Sequence, residues 1–148
     1  MKLSSYLNPK FIVTELEAGN IKEAIALLIE NMARHSTKIA ENEAELTETT
    51  LRRENEISTC VGNGIAIPHG RIPNFEDLMV AVGVLKAPVE MEIASSGKKD
   101  RVKLVFLILS DVLKNKNILK LMSGVSKLAL QHPETLHKLK EETNPKEI

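Results

Sequence analysis

Leu78-Met79-Val80-Ala81-Val82-Gly83-Val84-Leu85 is the stretch from which the fold is read. It is apolar throughout, rich in Val, and shows no alternation of apolar and polar residues. A strand with one wet face would alternate, so this run belongs in a sheet covered on both faces. Val102 to Leu109 is a second run of this kind, interrupted only by Lys103. Between the two, Ser95-Ser96-Gly97-Lys98-Lys99-Asp100 has the composition of a surface turn.

Helices are expected on either side of these strands in the sequence. Asn20 and Glu23 have the spacing of a capping box, with Asn in place of Ser or Thr. Behind them Ile21, Ile25, Leu28 and Met32 recur at helical spacing, widened by Ala24 and Ile29. A second, more polar helix is predicted over about 44–54, with Leu46 and Leu51 as a thin apolar face. From Lys116 onward, Ile118, Leu121, Met122, Val125, Leu128 and Ala129 mark a third. His132-Pro133 ends it and opens a last polar helix with Leu136 and Leu139. Near the start, Phe11-Ile12-Val13 reads as a short strand. The expected class is α/β, a mixed sheet flanked by helices on both faces, in a single domain over residues 1–148.

Composition narrows the function. Lys+Arg and Asp+Glu balance at 20 each, which implies no bulk attraction to nucleic acid or to an anionic membrane. Aromatic residues make up only 3%, with no Trp, so base-stacking platforms are not expected. A single Cys excludes an internal disulfide framework. No run approaches the ~18 apolar residues that would span a bilayer. Met1-Lys2-Leu3-Ser4-Ser5-Tyr6 does not read as a signal peptide, so a cytoplasmic location is expected.

The chemistry concentrates in Ser58-Thr59-Cys60-Val61-Gly62-Asn63-Gly64-Ile65-Ala66-Ile67-Pro68-His69-Gly70-Arg71. Ile65-Ala66-Ile67 can form a buried strand. Pro68 then fixes its own φ and removes one donor, and Gly70 leaves bare backbone beside the imidazole. His69 held at a strand end in this way suits a nucleophile or ligand better than a packing residue. The plainer alternative is a histidine satisfied within a turn.

This segment closely resembles the phosphorylation-site signature of the fructose/mannitol-type enzyme IIA domains of the phosphoenolpyruvate-dependent sugar phosphotransferase system, including their nitrogen-regulatory branch. Leu51-Arg52-Arg53-Glu54 matches the Arg-Glu pair of that family at the expected distance upstream. The resemblance implies that His69 accepts a phosphoryl group from the phosphohistidine of the carrier protein HPr or a nitrogen-branch paralogue. The group would then pass to an enzyme IIB, or remain as a mark read by regulatory target proteins. The wording Gly-Asn-Gly-Ile-Ala-Ile-Pro-His-Gly and the standalone chain lean towards the regulatory branch.

Within that resemblance Arg53 would offer phosphate oxygens a permanent charge and a planar fork of donors. Its plainer reading is a solvated helix arginine. Ser58 and Thr59 are either hydroxyl donors to the phosphate or turn caps. The bare backbone of Gly70 would let a partner's active site approach, and Arg71 is a docking contact or a surface charge. His35, His132 and His137 read as exposed, and the charges of Glu41 to Glu56 as a solvated helix face. Cys60 stands where the family usually has Gly; with no Cys or His at ligand spacing it reads as a small packing residue. Neither a metal nor a cofactor is implied.

Ile118 aligns where the family often carries a second histidine, so a protein-interaction module of the same fold that has lost efficient transfer is the alternative function. A metal-dependent hydrolase is a distant third, since no carboxylate–histidine set has usable spacing. Isoleucine cannot donate a hydrogen bond to a phosphoryl oxygen, whereas histidine can. Ile118→His is therefore expected to raise the HPr-dependent phosphorylation rate roughly tenfold if the new bond is worth ~1.4 kcal/mol in the transition state. Rates of the two proteins at equal concentration provide the check.

Overall fold

The computed structural model describes residues 7–56, 58–71 and 79–110. Ile118, His132, His137 and the two late helices expected from the sequence lie outside these residues. In chain order the elements are β1 (Leu7–Leu16), α1 (Ile21–His35), α2 (Thr37–Glu41), α3 (Glu43–Glu56), β2 (Cys60–Gly62), β3 (Ile65–Ala66), β4 (His69–Arg71), β5 (Met79–Glu92) and β6 (Lys99–Ser110). The six strands form one mixed sheet in the order β1-β5-β6-β3-β2, with β4 also paired to β6. β1 runs parallel to β5, β5 and β6 form an antiparallel hairpin, and β3 and β4 both run parallel to β6.

The unbroken apolar runs behave as expected. Val80, Ala81, Val82, Val84 and Leu85 of β5 are buried, as are Leu104 through Leu109 of β6. Ala81, Leu85, Val105, Leu107 and Leu109 pack in one cluster with Ala24, Ile25, Leu28, Ile29 and Met32 of α1. The alternate residues Val80, Val82, Val84, Leu104, Phe106 and Ile108 lie outside that cluster yet are equally buried, so both faces of the central hairpin are covered. Among the described residues no helix is long and apolar enough to cross a membrane.

β5 is longer than its apolar run. It continues past Leu85 to Glu92, with a register shift between Val84 and Val89 around Pro88. In this outer arm Val89 and Met91 are buried while Glu90 and Glu92 are exposed, the period-two pattern of a half-covered hairpin. Lys99 and Asp100, expected in the turn, instead pair with Glu92 and Met91, so the turn is confined to residues 94–98.

α1 starts as its sequence predicts. The Asn20 side chain accepts from Glu23 N at 2.9 Å, while the Glu23 carboxylate reaches back to Gly19 N at 2.7 Å. The reciprocal bond falls one residue before the cap, so two otherwise orphaned donors are still satisfied. Ser36 then closes α1 and caps the short α2, accepting from Ile39 N at 3.3 Å.

α3 reaches the sheet with a stripe that hydropathy does not reveal. Its buried residues are Leu46, Thr50 and Glu54, spaced four apart. Thr50 Oγ1 donates to Leu46 O at 2.7 Å, which hides the polarity of its hydroxyl inside the helix. This face packs on β4, and it can do so because Gly70 has no side chain. A β-carbon built there would meet Thr50 Oγ1 and lie 2.6 Å from Leu109 Cδ2 and 3.2 Å from Leu46 Cδ1. Gly70→Ala should therefore overpack the α3–β4 contact and cost about 1–3 kcal/mol, read as a lower denaturant midpoint with unchanged slope.

Candidate active site

A tight hairpin leads into the site. Asn63 and Gly64 both sit at positive φ, 58° and 75°, as a type I′ turn between two twisted strands requires. Asp100 secures that turn from β6, accepting from Gly64 N at 2.9 Å and lying 3.7 Å from the buried Cys60 thiol. Burial of the thiol, with the Asp100 carboxylate beside it, pushes the Cys60 pKa up and keeps it protonated. Cys60 thus packs as expected and also directs its S–H to a carboxylate.

Beyond the turn the chain runs beside β6 without losing register. Ile65 and Ala66 pair with Leu104 and Val105, and His69, Gly70 and Arg71 pair at the same offset with Ile108, Leu109 and Ser110. Pro68 interrupts the ladder because it has no N–H, yet its carbonyl still accepts from Ile108 N at 2.9 Å. His69 therefore opens β4 in line with β3, at a strand end as expected, and the backbone on both sides of the ring is held by β6. Neighbouring strand residues point to opposite faces, so His69 and the α3-packed Gly70 face apart.

The imidazole is half-buried, and its Nδ1 is closed to solvent. Desolvation first, and the Arg53 guanidinium second, hold its pKa below the ordinary 6.5. Arg53 itself is exposed near the end of α3 and forms no ion pair among the described residues, whereas its neighbour Arg52 is tied to Glu48 at 2.7 Å. The structure thus brings together two of the residues singled out in the sequence, a neutral histidine and an arginine.

The other candidates separate from this pair. Arg71 lies at a recess lined by Asn42, Glu45, Leu46 and Thr49, near the start of α3. Eight residues of helix, about 12 Å, divide Glu45 from Arg53. Ser58 Oγ donates to Glu92 O at 2.6 Å, and Thr59 Oγ1 donates to Glu54. Each hydroxyl has one proton, and each of these is already given to a protein acceptor, which favours turn capping over donation to a phosphate. The side of Gly70 where a β-carbon would stand is covered by α3, while the residue as a whole is half-buried. His35 is exposed, as expected.

The sequence places Glu54 in the family's Arg-Glu pair but assigns it no role and reads it with the solvated face of α3; the structure buries it. It is only 7% exposed and accepts from both Thr59 N, at 2.9 Å, and Thr59 Oγ1. Burial raises its pKa, opposed by the two Thr59 bonds and by Arg53. The signal for its burial is the spacing Leu46, Thr50, Glu54, masked because two of the three are polar.

The family profile described as phosphoenolpyruvate-dependent sugar phosphotransferase system, EIIA 2, matches residues 5–148. The chain belongs to that family. Among curated relatives of this IIA domain, a nitrogen regulatory protein of Bradyrhizobium diazoefficiens is 30% identical over 128 residues, covering 86% of this chain and 80% of that one. The crystal structure of the nitrogen regulatory protein IIA-Ntr from Neisseria meningitidis superposes with a TM-score of 0.73 at 25% identity, over 98% of this chain and 94% of that one. The Escherichia coli mannitol enzyme IIA, solved in complex with phosphorylated enzyme IIB, shares the fold at a TM-score of 0.68 and 21% identity, over 90% and 88% of the two chains. The mixed sheet with helices is thus the fold of both branches, and phosphoryl transfer is the business of the family.

The unfolded chain takes up a proton on His69 near pH 6.5, and the folded chain resists doing so. This contribution to stability is present above that pH and is lost as the pH falls through the lower folded pKa. An NMR titration of the His69 ring should give a midpoint below 6.5. In Arg53→Ala it should rise, but only part of the way, because desolvation is the larger cause.

Proposed function

We propose that His69 is the phosphoryl acceptor of this IIA domain and that Arg53 stabilises the transferred group. The observation that carries the reading is a half-buried imidazole, disfavoured as a cation, beside an exposed arginine. Phosphoryl transfer needs a neutral nitrogen lone pair in line with phosphorus, and cationic donors for the equatorial oxygens. Nδ1 is closed to solvent, so this reading assigns the reaction to Nε2. The Nε2 lone pair forms the new P–N bond as the P–N bond of the donor breaks, and the donor imidazole leaves with that electron pair.

The donor in this reading is the phosphohistidine of HPr or a nitrogen-branch paralogue. The acceptor beyond His69 is an enzyme IIB, as the mannitol complex suggests, or the mark is read by regulatory targets. Relatives named as nitrogen regulatory proteins support the regulatory branch. Ser58, Thr59, Gly70 and Arg71 serve in this reading as supports and docking surface rather than as direct phosphate ligands.

Incubation with phosphoenolpyruvate, enzyme I and HPr should add the mass of one phosphoryl group in an acid-labile linkage. His69→Ala should abolish it, and undiminished labelling of that variant would reassign the site. Arg53→Ala should slow transfer and hasten hydrolysis of the phosphohistidine, by the equivalent of about 1.5–3 kcal/mol for a lost charge-assisted bond. Its melting temperature should barely change, because the side chain is exposed.

A further inference from the structure

We infer that Glu54 is a positioning residue that fixes the separation between Arg53 and His69, acting through Thr59. The inference rests on the reading of His69 as acceptor. Its basis is a continuous set of hydrogen bonds from the end of α3 to the acceptor strand. The Glu54 carboxylate accepts from Thr59 N and from Thr59 Oγ1. Thr59 O in turn accepts from Ile67 N at 3.0 Å, and Pro68 O accepts from Ile108 N at 2.9 Å. Ile67 and Pro68 are the two residues immediately before His69.

Glu54 is the helix residue next to Arg53, so one buried carboxylate joins the helix that carries the cation to the strand that carries the imidazole. A hydrogen-bonded fork to both the main chain and the side chain of a single residue defines orientation as well as distance. An apolar residue in its place would let α3 pack but would leave the Thr59 N–H without this acceptor. Lys22 of α1, Glu56 of α3, and Glu90 and Glu92 of β5 line the recess beside Glu54. Arg53 lies on its own helix and the Cys60 thiol on β2. Among the described residues the carboxylate nonetheless accepts its hydrogen bonds from Thr59.

The test uses the sign of an effect. Removing the Glu54 negative charge would by itself lower the His69 pKa, since an anion favours the imidazolium. If Glu54 instead holds Arg53 close, Glu54→Gln lets the cation drift and the His69 midpoint rises in an NMR titration. In an Arg53→Ala background the same substitution should leave the midpoint unchanged or lower it. The rate constant at saturating phospho-HPr should fall between roughly tenfold and a hundredfold, as for a misplacement of about 1 Å, while the half-saturating concentration stays constant. Thr59→Ser should retain the wild-type rate, and Thr59→Val, which lacks the hydroxyl donor, should fall part of the way. Should Glu54→Gln not fold, Thr59→Val carries the same midpoint test with the same sign.

A wild-type or lowered midpoint in Glu54→Gln, a rise that persists without Arg53, or an undiminished rate overturns the inference. If the wild-type protein takes no phosphate, the proposed function fails, and the midpoint measurements still decide the placement of Arg53 by Glu54.

Discussion

The parallel pairing of residues 65–71 with β6 is the constraint on which the site depends. β6 is held by β5 along one edge and is buried on both faces from Leu104 to Leu109. A slip of one residue would turn its whole side-chain set over, so its register is strongly determined. Ile65 to Arg71 borrow that register through pairs of constant offset on both sides of Pro68. Pro68 removes one donor without moving the line. The position of His69 is thereby set by the hydrophobic core, although the ring itself lies at the boundary with solvent.

Two carboxylates complete what the core begins. Asp100 fastens the Asn63-Gly64 turn from β6, and Glu54 fastens Thr59 from α3. Each accepts from a backbone N–H and from a side chain, so each secures one end of the short β2–β3 hairpin. A buried carboxylate such as Glu54 is costly unless hydrogen-bonded, and both it and the half-buried Asp100 are placed where two donors converge. Around the imidazole the logic is reversed. Burial and a nearby cation keep His69 neutral, the state that leaves a nitrogen lone pair for chemistry.

Elements whose local pattern matched their environment were legible in the sequence. The β5 and β6 runs, the α1 stripe and the Asn20 cap all appear where their residues predict, because burial on both faces or on one helix face leaves an unambiguous pattern. α2 escaped notice because a helix of five residues with one buried side chain, Ile39, has no periodicity to read. The outer arm of β5 was legible in principle from Val89 and Met91, but Lys86-Ala87-Pro88 breaks the run before it. α3 was placed correctly yet its buried face was misjudged, since Thr50 and Glu54 satisfy their polar atoms locally and hydropathy counts them as wet.

For the candidate site, the sequence by itself determined which donor and acceptor groups the segment carries. A histidine between Pro68 and Gly70 after an apolar run, with Arg53 sixteen residues earlier in a family-like pair, marks the candidate acceptor and the cation proposed to serve it. Tertiary structure alone decided which of the accompanying residues share the site. It set Arg71 at the far end of α3, engaged the Ser58 and Thr59 hydroxyls with protein acceptors, and packed α3 against Gly70. The physical reason is that residue type specifies what a side chain can donate or accept. Whether that capacity meets a substrate or an internal partner depends on which helix end and which strand edge the packing of the core brings together.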